Sequence, residues 1–136
     1  MFDDLIARLS AAGARTEALG VLEQGRRTLG VPRPDRIVTA GRVWRLGDVL
    51  LGLDGRLWQV GRVVRVAGTD RRRSVVATSI TEHHELALAA RRGGAAEGET
   101  VNFDATPLDP APADLVALQP YLAERAELLI EAARGA

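Results

Sequence analysis

The stretch that decides the fold covers residues 41–63, where GRVWRLGDV at residues 41–49 is repeated as GRLWQVGRV at residues 55–63. Five of the nine positions are identical, and Trp44 and Trp58 occupy the same place in the two copies. Asp54-Gly55 lies between apolar runs, and Asp-Gly readily adopts the positive φ angles of a tight hairpin turn. The repeat therefore predicts a three-stranded meander of residues 42–46, 49–53 and 56–66.

The register of this meander depends on the length of its turns. If Gly47-Asp48 and Asp54-Gly55 are both two-residue turns, Leu51 lies opposite Trp44 on one side and Trp58 on the other. Side chains alternate between the two faces of a strand, so both tryptophans are predicted in one buried row. The same face would hold Leu46, Val49, Leu53 and Val60. The opposite face, with Arg45 and Gln59, is predicted to be half covered by a helix or open to a partner.

The first 30 residues predict a helical hairpin. Phe2, Leu5, Ile6 and Leu9 follow the i, i+3, i+4, i+7 spacing of one helical face, and Gly13 is suited to end that helix. A second apolar stripe runs from Ala18 to Leu29, and the prolines at 32 and 34 prevent its continuation.

The remaining segments complete an α+β prediction for a single domain of residues 1–136. The meander of about three to five strands occupies residues 36–78, including a short strand at 74–78. A helix follows from Ser79 to Arg92, then a candidate edge strand at residues 100–103 and a proline-rich loop at 104–113. The last helix is predicted to begin at Pro120, with Leu122, Ala126, Leu129 and Ala133 on one face.

The composition excludes several protein classes. The chain of 136 residues has no cysteine, so it has neither disulfides nor thiolate sites. No apolar run approaches the ~20 residues of a membrane span, and the acidic start Met1-Phe2-Asp3-Asp4 differs from a signal peptide. These features predict a cytoplasmic protein with no membrane association.

The charge is zero overall but unevenly distributed. All 18 basic residues are arginine, and residues 26–92 carry a net charge of +8 against −2 before them and −6 after them. Such an arrangement indicates either internal pairing of charges or a surface for a partner.

No catalytic, metal or cofactor site is predicted. Ser10, Ser74 and Ser79 lack the Gly-x-Ser-x-Gly context of a nucleophile elbow. His83 and His84 are neighbours that point ~100° apart on a helix, so they do not converge on one metal ion. The glycines of residues 93–98 follow a helix and lack a lysine, so they do not form a phosphate loop.

The loop from Gly93 to Asn102 is the candidate interaction surface. Loops carry function because they vary without breaking a core. The predicted surface residues are Arg91, Arg92, Glu97, Glu99 and Asn102. The alternative is that these charges pair with one another across an exposed turn.

Nucleic-acid binding through the arginine-rich middle is the third interpretation. Positive charge comes from Arg71-Arg72-Arg73 together with Arg62, Arg65, Arg91 and Arg92, but bases need aromatic side chains to stack on. Trp44 and Trp58 are both predicted on the core face, and a net charge of zero gives no global attraction to nucleic acid.

Two resemblances bear on function. Residues 12–19 and 26–30 resemble one tetratricopeptide-like helical pair of actinobacterial transcriptional activation domains, although a solenoid needs about three such units. Residues 42–51, 85–103 and 121–129 look like a family of short actinobacterial proteins that are uncharacterised or labelled glutaminase, which implies an amide hydrolase.

This sequence lacks the residues that known glutaminases use to activate their nucleophile. Serine-type glutaminases use a Ser-x-x-Lys pair and glutamine amidotransferases use a cysteine, whereas this chain has no lysine and no cysteine. The leading interpretation is therefore a non-catalytic regulatory or protein-interaction domain, whose partner is another protein or a second copy of the chain. An amide hydrolase is the alternative.

Overall fold

The computed structural model describes residues 2–25, 27–28, 30–32, 34–66 and 78–135, without side chains for 27–28, 31–32 and 78–81. These residues form three helices, α1 (Asp3–Ala11), α2 (Thr78–Arg92) and α3 (Pro112–Arg134). They also form nine strands: β1 (Glu17–Glu23), β2 (Arg27–Thr28), β3 (Val31–Pro32), β4 (Arg36–Leu46), β5 (Val49–Gly52), β6 (Leu57–Gln59), β7 (Arg62–Arg65), β8 (Thr100–Phe103) and β9 (Thr106–Leu108). The predicted α+β class is confirmed.

Seven of these strands form one mixed sheet, in the order β7-β8-β1-β4-β5-β6-β9. The pairing of β1 with β8 is parallel, whereas β4–β5, β5–β6, β6–β9 and β7–β8 are antiparallel. Strands β2 and β3 pair only with each other, around Gly30. The sheet has more strands than the three to five predicted. The predicted strand at 56–66 is two strands, β6 and β7, that are not neighbours in the sheet, and β1 and β9 come from segments predicted to be helix and loop.

The chain divides into two compact units, each assembled from separate segments. The first unit consists of Met1–Glu17, Arg42–Val60 and Ala105–Ala136, and the second of Ala18–Gly41 and Gly61–Asp104.

The core of the first unit is built on Trp44, which is 2% exposed. Trp44 pairs with Leu51 across β4 and β5, as the sequence predicts. Its indole Nε1 donates a hydrogen bond to the backbone oxygen of Ala14 at 3.2 Å. Phe2, which precedes α1, packs in the same cluster with apolar side chains of α1 and α3, chiefly Leu9, Leu122, Ala126 and Ile130.

The predicted register of β5 against β6 is wrong by one residue. Leu51 lies opposite Leu57, and Leu50 lies opposite Trp58. The connection is a three-residue loop: the Gly52 N–H donates to Arg56 O at 2.8 Å, the Gly55 N–H donates to Gly52 O at 3.0 Å, and Gly55 has a φ of +91°. A loop one residue longer than expected moves each following side chain to the other face, so Trp58 does not share a row with Trp44.

The core of the second unit combines small and branched apolar side chains with one aromatic ring, that of Phe103. They come from β1, β4, β7, β8 and α2, together with Val66, and include Ala18, Ile37, Val64, Val101, Phe103 and Ala90. At Gly20 in β1, a Cβ atom would lie 2.5 Å from Ile37 Cγ2 and 2.9 Å from Val101 Cγ1. Only glycine therefore fits there without displacing these side chains.

The predicted helical hairpin is correct only in its first half. Helix α1 occupies residues 3–11, but residues 17–23, predicted to be helical, form β1. Ala18 and Gly20 are buried whereas Val21 and Glu23 are exposed, and the parallel pairing with β8 satisfies the backbone of Ala18 and Leu19. Apolar residues on both sides of a central strand give the same short spacing as a helical stripe.

Three further boundaries differ from the prediction. The segment at 100–103 is a strand, but β8 lies between β7 and β1 and is not at an edge. The predicted loop at 104–113 contains β9. Helix α3 begins at Pro112, and Pro120 lies inside it at an exposed position. Residues 74–77 of the predicted short strand and Arg71-Arg72-Arg73 lie outside the described residues.

Candidate functional site

The charged loop after α2 is only partly a surface. Arg91, Arg92 and Glu97 are exposed, and Arg92 Nη1 donates to the backbone oxygen of Asp35 at 3.2 Å. Asn102, in contrast, is fully buried in β8, where its Nδ2 donates to Ala18 O at 3.4 Å. The assignment of Asn102 to a surface is therefore corrected: its amide is part of the interior of the second unit.

The backbone of this loop is held at several points of the second unit. Gly93 O accepts a hydrogen bond from the Thr39 N–H at 3.2 Å, and Val66 both donates to Glu99 O at 2.8 Å and accepts from the Gly98 N–H at 2.6 Å. A Cβ on Gly93 would lie 1.8 Å from Ile37 O. Packing therefore explains Gly93, whereas Gly94 and Gly98 have positive φ angles of 109° and 83°, which favour glycine.

A pocket of about 330 Å³ lies in the first unit, beside the turn between β5 and β6. Segments from the start of the chain, from β6, from β9 and from the beginning of α3 all contribute to it. Its lining consists of Phe2, Gly55, Arg56, Leu57, Trp58, Pro107, Leu108, Asp109, Pro110 and Leu115. Most of these residues are apolar, and two of them are prolines, which lose little side-chain entropy when a ligand binds.

Trp58 forms a wall of this pocket because of the three-residue loop before it. It pairs with Pro107 across β6 and β9 and is half-buried. A Cβ on Gly52 would lie 3.0 Å from Trp58 Cζ3, so the absence of a side chain at Gly52 makes room for the indole. Trp58 Nε1 donates no hydrogen bond to any described residue, unlike Trp44 Nε1, which is bonded to Ala14 O.

The two ionisable side chains in the lining have different surroundings. Arg56 is paired with Asp54, with 3.5 Å between Nε and Oδ2, and its backbone N–H donates to Asp54 Oδ1 at 3.0 Å. Asp109 is exposed and forms no ion pair within the described part of the chain. The lining therefore carries one negative charge, that of Asp109, that is not paired with a positive charge of a described residue.

The polar side chains of the lining are one carboxylate, one guanidinium and one indole N–H, those of Asp109, Arg56 and Trp58. Its apolar walls provide the driving force for burying an apolar group. Elsewhere in the described residues, no three histidine, aspartate or glutamate side chains are grouped so that they could hold a metal ion. None of the described helices is long and apolar enough to cross a membrane.

Sequence reasoning missed this pocket because it placed Trp58 in the core. The signal that could have revealed it is Gly55, which suits the last position of a three-residue loop as well as it suits a two-residue turn. With the longer loop, the alternation of β6 places Trp58 opposite to Trp44. The contributions of Phe2, Pro107 and Leu115 have no local signal, since they depend on how distant segments pack.

Comparison of the chain with protein-family models, with curated proteins and with solved structures finds no match.

Proposed function

We propose that this chain is a non-catalytic protein-interaction domain and that the pocket beside Trp58 is its binding site. The observation that carries the proposal is a half-buried tryptophan whose indole N–H has no partner among the described residues, set in an apolar pocket. Tryptophan is enriched at the energetic centres of protein interfaces because it buries a large ring and offers one hydrogen bond.

The size of the pocket supports a short peptide as the ligand. A volume of about 330 Å³ is at the lower end of small-ligand pockets. It is large enough for one bulky apolar side chain with its neighbouring backbone. The rigid walls formed by Pro107 and Pro110 favour a preformed site over one that must be ordered on binding.

Display of random nine-residue peptides on the purified protein tests this proposal. We expect enriched peptides that bind wild type and lose at least about tenfold in affinity with Trp58→Ala, because removal of an interface tryptophan typically costs more than about 1.4 kcal/mol. Leu128→Ala is the matched control, since Leu128 is a 53% exposed apolar residue of the same unit outside the pocket. Circular dichroism verifies that both variants are folded. Failure to enrich peptides, or peptides that bind Trp58→Ala unchanged, would contradict the proposal.

The alternative function, an amide hydrolase, predicts that the protein releases ammonia from glutamine, and a simple assay distinguishes it from the proposed function. We expect the purified protein to release no ammonia from glutamine above a heat-denatured control, because the chain has neither the lysine nor the cysteine that activates the nucleophile in known glutaminases. Ammonia release that co-purifies with the protein through successive columns would refute this expectation and favour the hydrolase.

A further inference from the structure

Acidic residues lie in the lining of the pocket beside Trp58 and next to lining residues in the sequence. Asp109 lies in the lining, and Asp54 adjoins the lining residue Gly55. Asp4 lies in the first turn of α1, two residues after Phe2, and Asp114 precedes Leu115 in the first turn of α3. These four aspartates, the acidic rim, are exposed, whereas Arg56 is the only basic residue of the lining.

The positive charge of Arg56 does not offset this acidic rim. Its guanidinium is already paired with Asp54, and the two side chains are 78% and 60% exposed. Such an exposed pair is weak, but it places one positive and one negative charge together, whereas Asp109 forms no ion pair with a described residue. The pocket therefore combines an apolar interior with a negatively charged mouth.

We infer that the ligand of this pocket is a peptide segment with one bulky apolar side chain flanked by arginine or lysine. The apolar side chain fills the space between Trp58, Pro107 and Phe2, and the flanking cations lie near the aspartates of the rim. Complementary charges of this kind raise the association rate and discriminate against acidic sequences. This inference rests on the proposed function, because it specifies the chemistry of the partner for the same site.

Three synthetic nine-residue peptides test the inference, each with glycine and serine outside a central triplet. The triplets are Arg-Phe-Arg, Glu-Phe-Glu and Arg-Ser-Arg. We expect Arg-Phe-Arg to bind at least about tenfold more tightly than either of the others in low salt, since both the apolar group and the charges are needed. Added salt should reduce that preference, because the rim is exposed and its charges are screened.

Two further measurements locate the binding site and its charge. The nitrogen-15-labelled protein has two indole N–H signals, and we expect Arg-Phe-Arg to shift that of Trp58 and not that of the buried Trp44. Asp109→Asn should weaken Arg-Phe-Arg several-fold and leave Glu-Phe-Glu unchanged or improved. Glu131→Gln is the matched control, because Glu131 is an exposed carboxylate of the same unit that is absent from the lining, and it should change neither affinity.

The possible outcomes separate this inference from the proposed function. Equal binding of Arg-Phe-Arg and Glu-Phe-Glu, with both shifting the Trp58 signal, overturns the charge preference and keeps the peptide-binding function. If no peptide shifts the Trp58 signal, both are overturned. If the Trp58 signal moves with protein concentration alone, the occupant is a second copy of the chain and the inference is wrong.

Discussion

Trp44→Ala is expected to lower the free energy of unfolding by roughly 3–5 kcal/mol, the range for removal of a large buried aromatic side chain. Trp44 is 2% exposed, packs against Leu51 and side chains of α1 and α3, and its Nε1 donates to Ala14 O. The substitution leaves a cavity and also an acceptor without its donor. For a chain of this size the melting temperature should fall by roughly 10 °C or more in calorimetry or thermal circular dichroism.

Trp58→Ala provides the comparison within the same repeat. Because Trp58 is half-buried and its indole N–H is bonded to no described residue, we expect a loss of at most about 2 kcal/mol. The loss of unfolding free energy with Trp44→Phe should lie between those of the two alanine variants, since phenylalanine keeps a ring in the core but loses the hydrogen bond to Ala14. Equal destabilisation by Trp44→Ala and Trp58→Ala would contradict the register that places the two indoles on opposite faces.

Gly93→Ala is expected to destabilise the protein by about 3 kcal/mol, the upper part of the range for overpacking. The added methyl group would lie 1.8 Å from Ile37 O and 2.3 Å from Ile37 C, so the end of α2 must move away from β4. That movement also breaks the hydrogen bond between the Thr39 N–H and Gly93 O. Urea denaturation measures the change as a lower midpoint.

Gly41→Ala is the control for this prediction. Gly41 lies in the same unit as Gly93 and has no positive φ, and a Cβ atom on it would meet no other atom within 4 Å. The variant should therefore remain within about 0.5 kcal/mol of wild type. A Gly93→Ala protein as stable as Gly41→Ala would show that the end of α2 does not lie in close contact with β4.

Local patterns were sufficient where the periodicity had a single interpretation. The spacing of Phe2, Leu5, Ile6 and Leu9 fits only a helix, and α1 is present. The helix that ends before Gly93 and the pairing of Trp44 with Leu51 follow from equally clear signals.

The segment at residues 17–23 shows where local reasoning fails. Ala18, Leu19 and Leu22 suit one face of a helix, and they also suit a central strand with apolar contacts on both sides. The segment forms a strand because Ile37 and Val101 approach Gly20 closely and because it pairs in parallel with β8, more than 80 residues away in sequence. Interactions over that separation outweigh a weak helical preference.

The candidate site could be predicted from the sequence even less than the fold could. The sequence by itself determined that the chain is α+β, that it has no lysine or cysteine chemistry, and that Trp44 packs against Leu51 in a core. Only the tertiary structure decided that Trp58 borders a pocket and that Asn102 is buried. The physical reason is that one extra loop residue reverses the face of every following side chain, and a pocket exists only where distant segments meet.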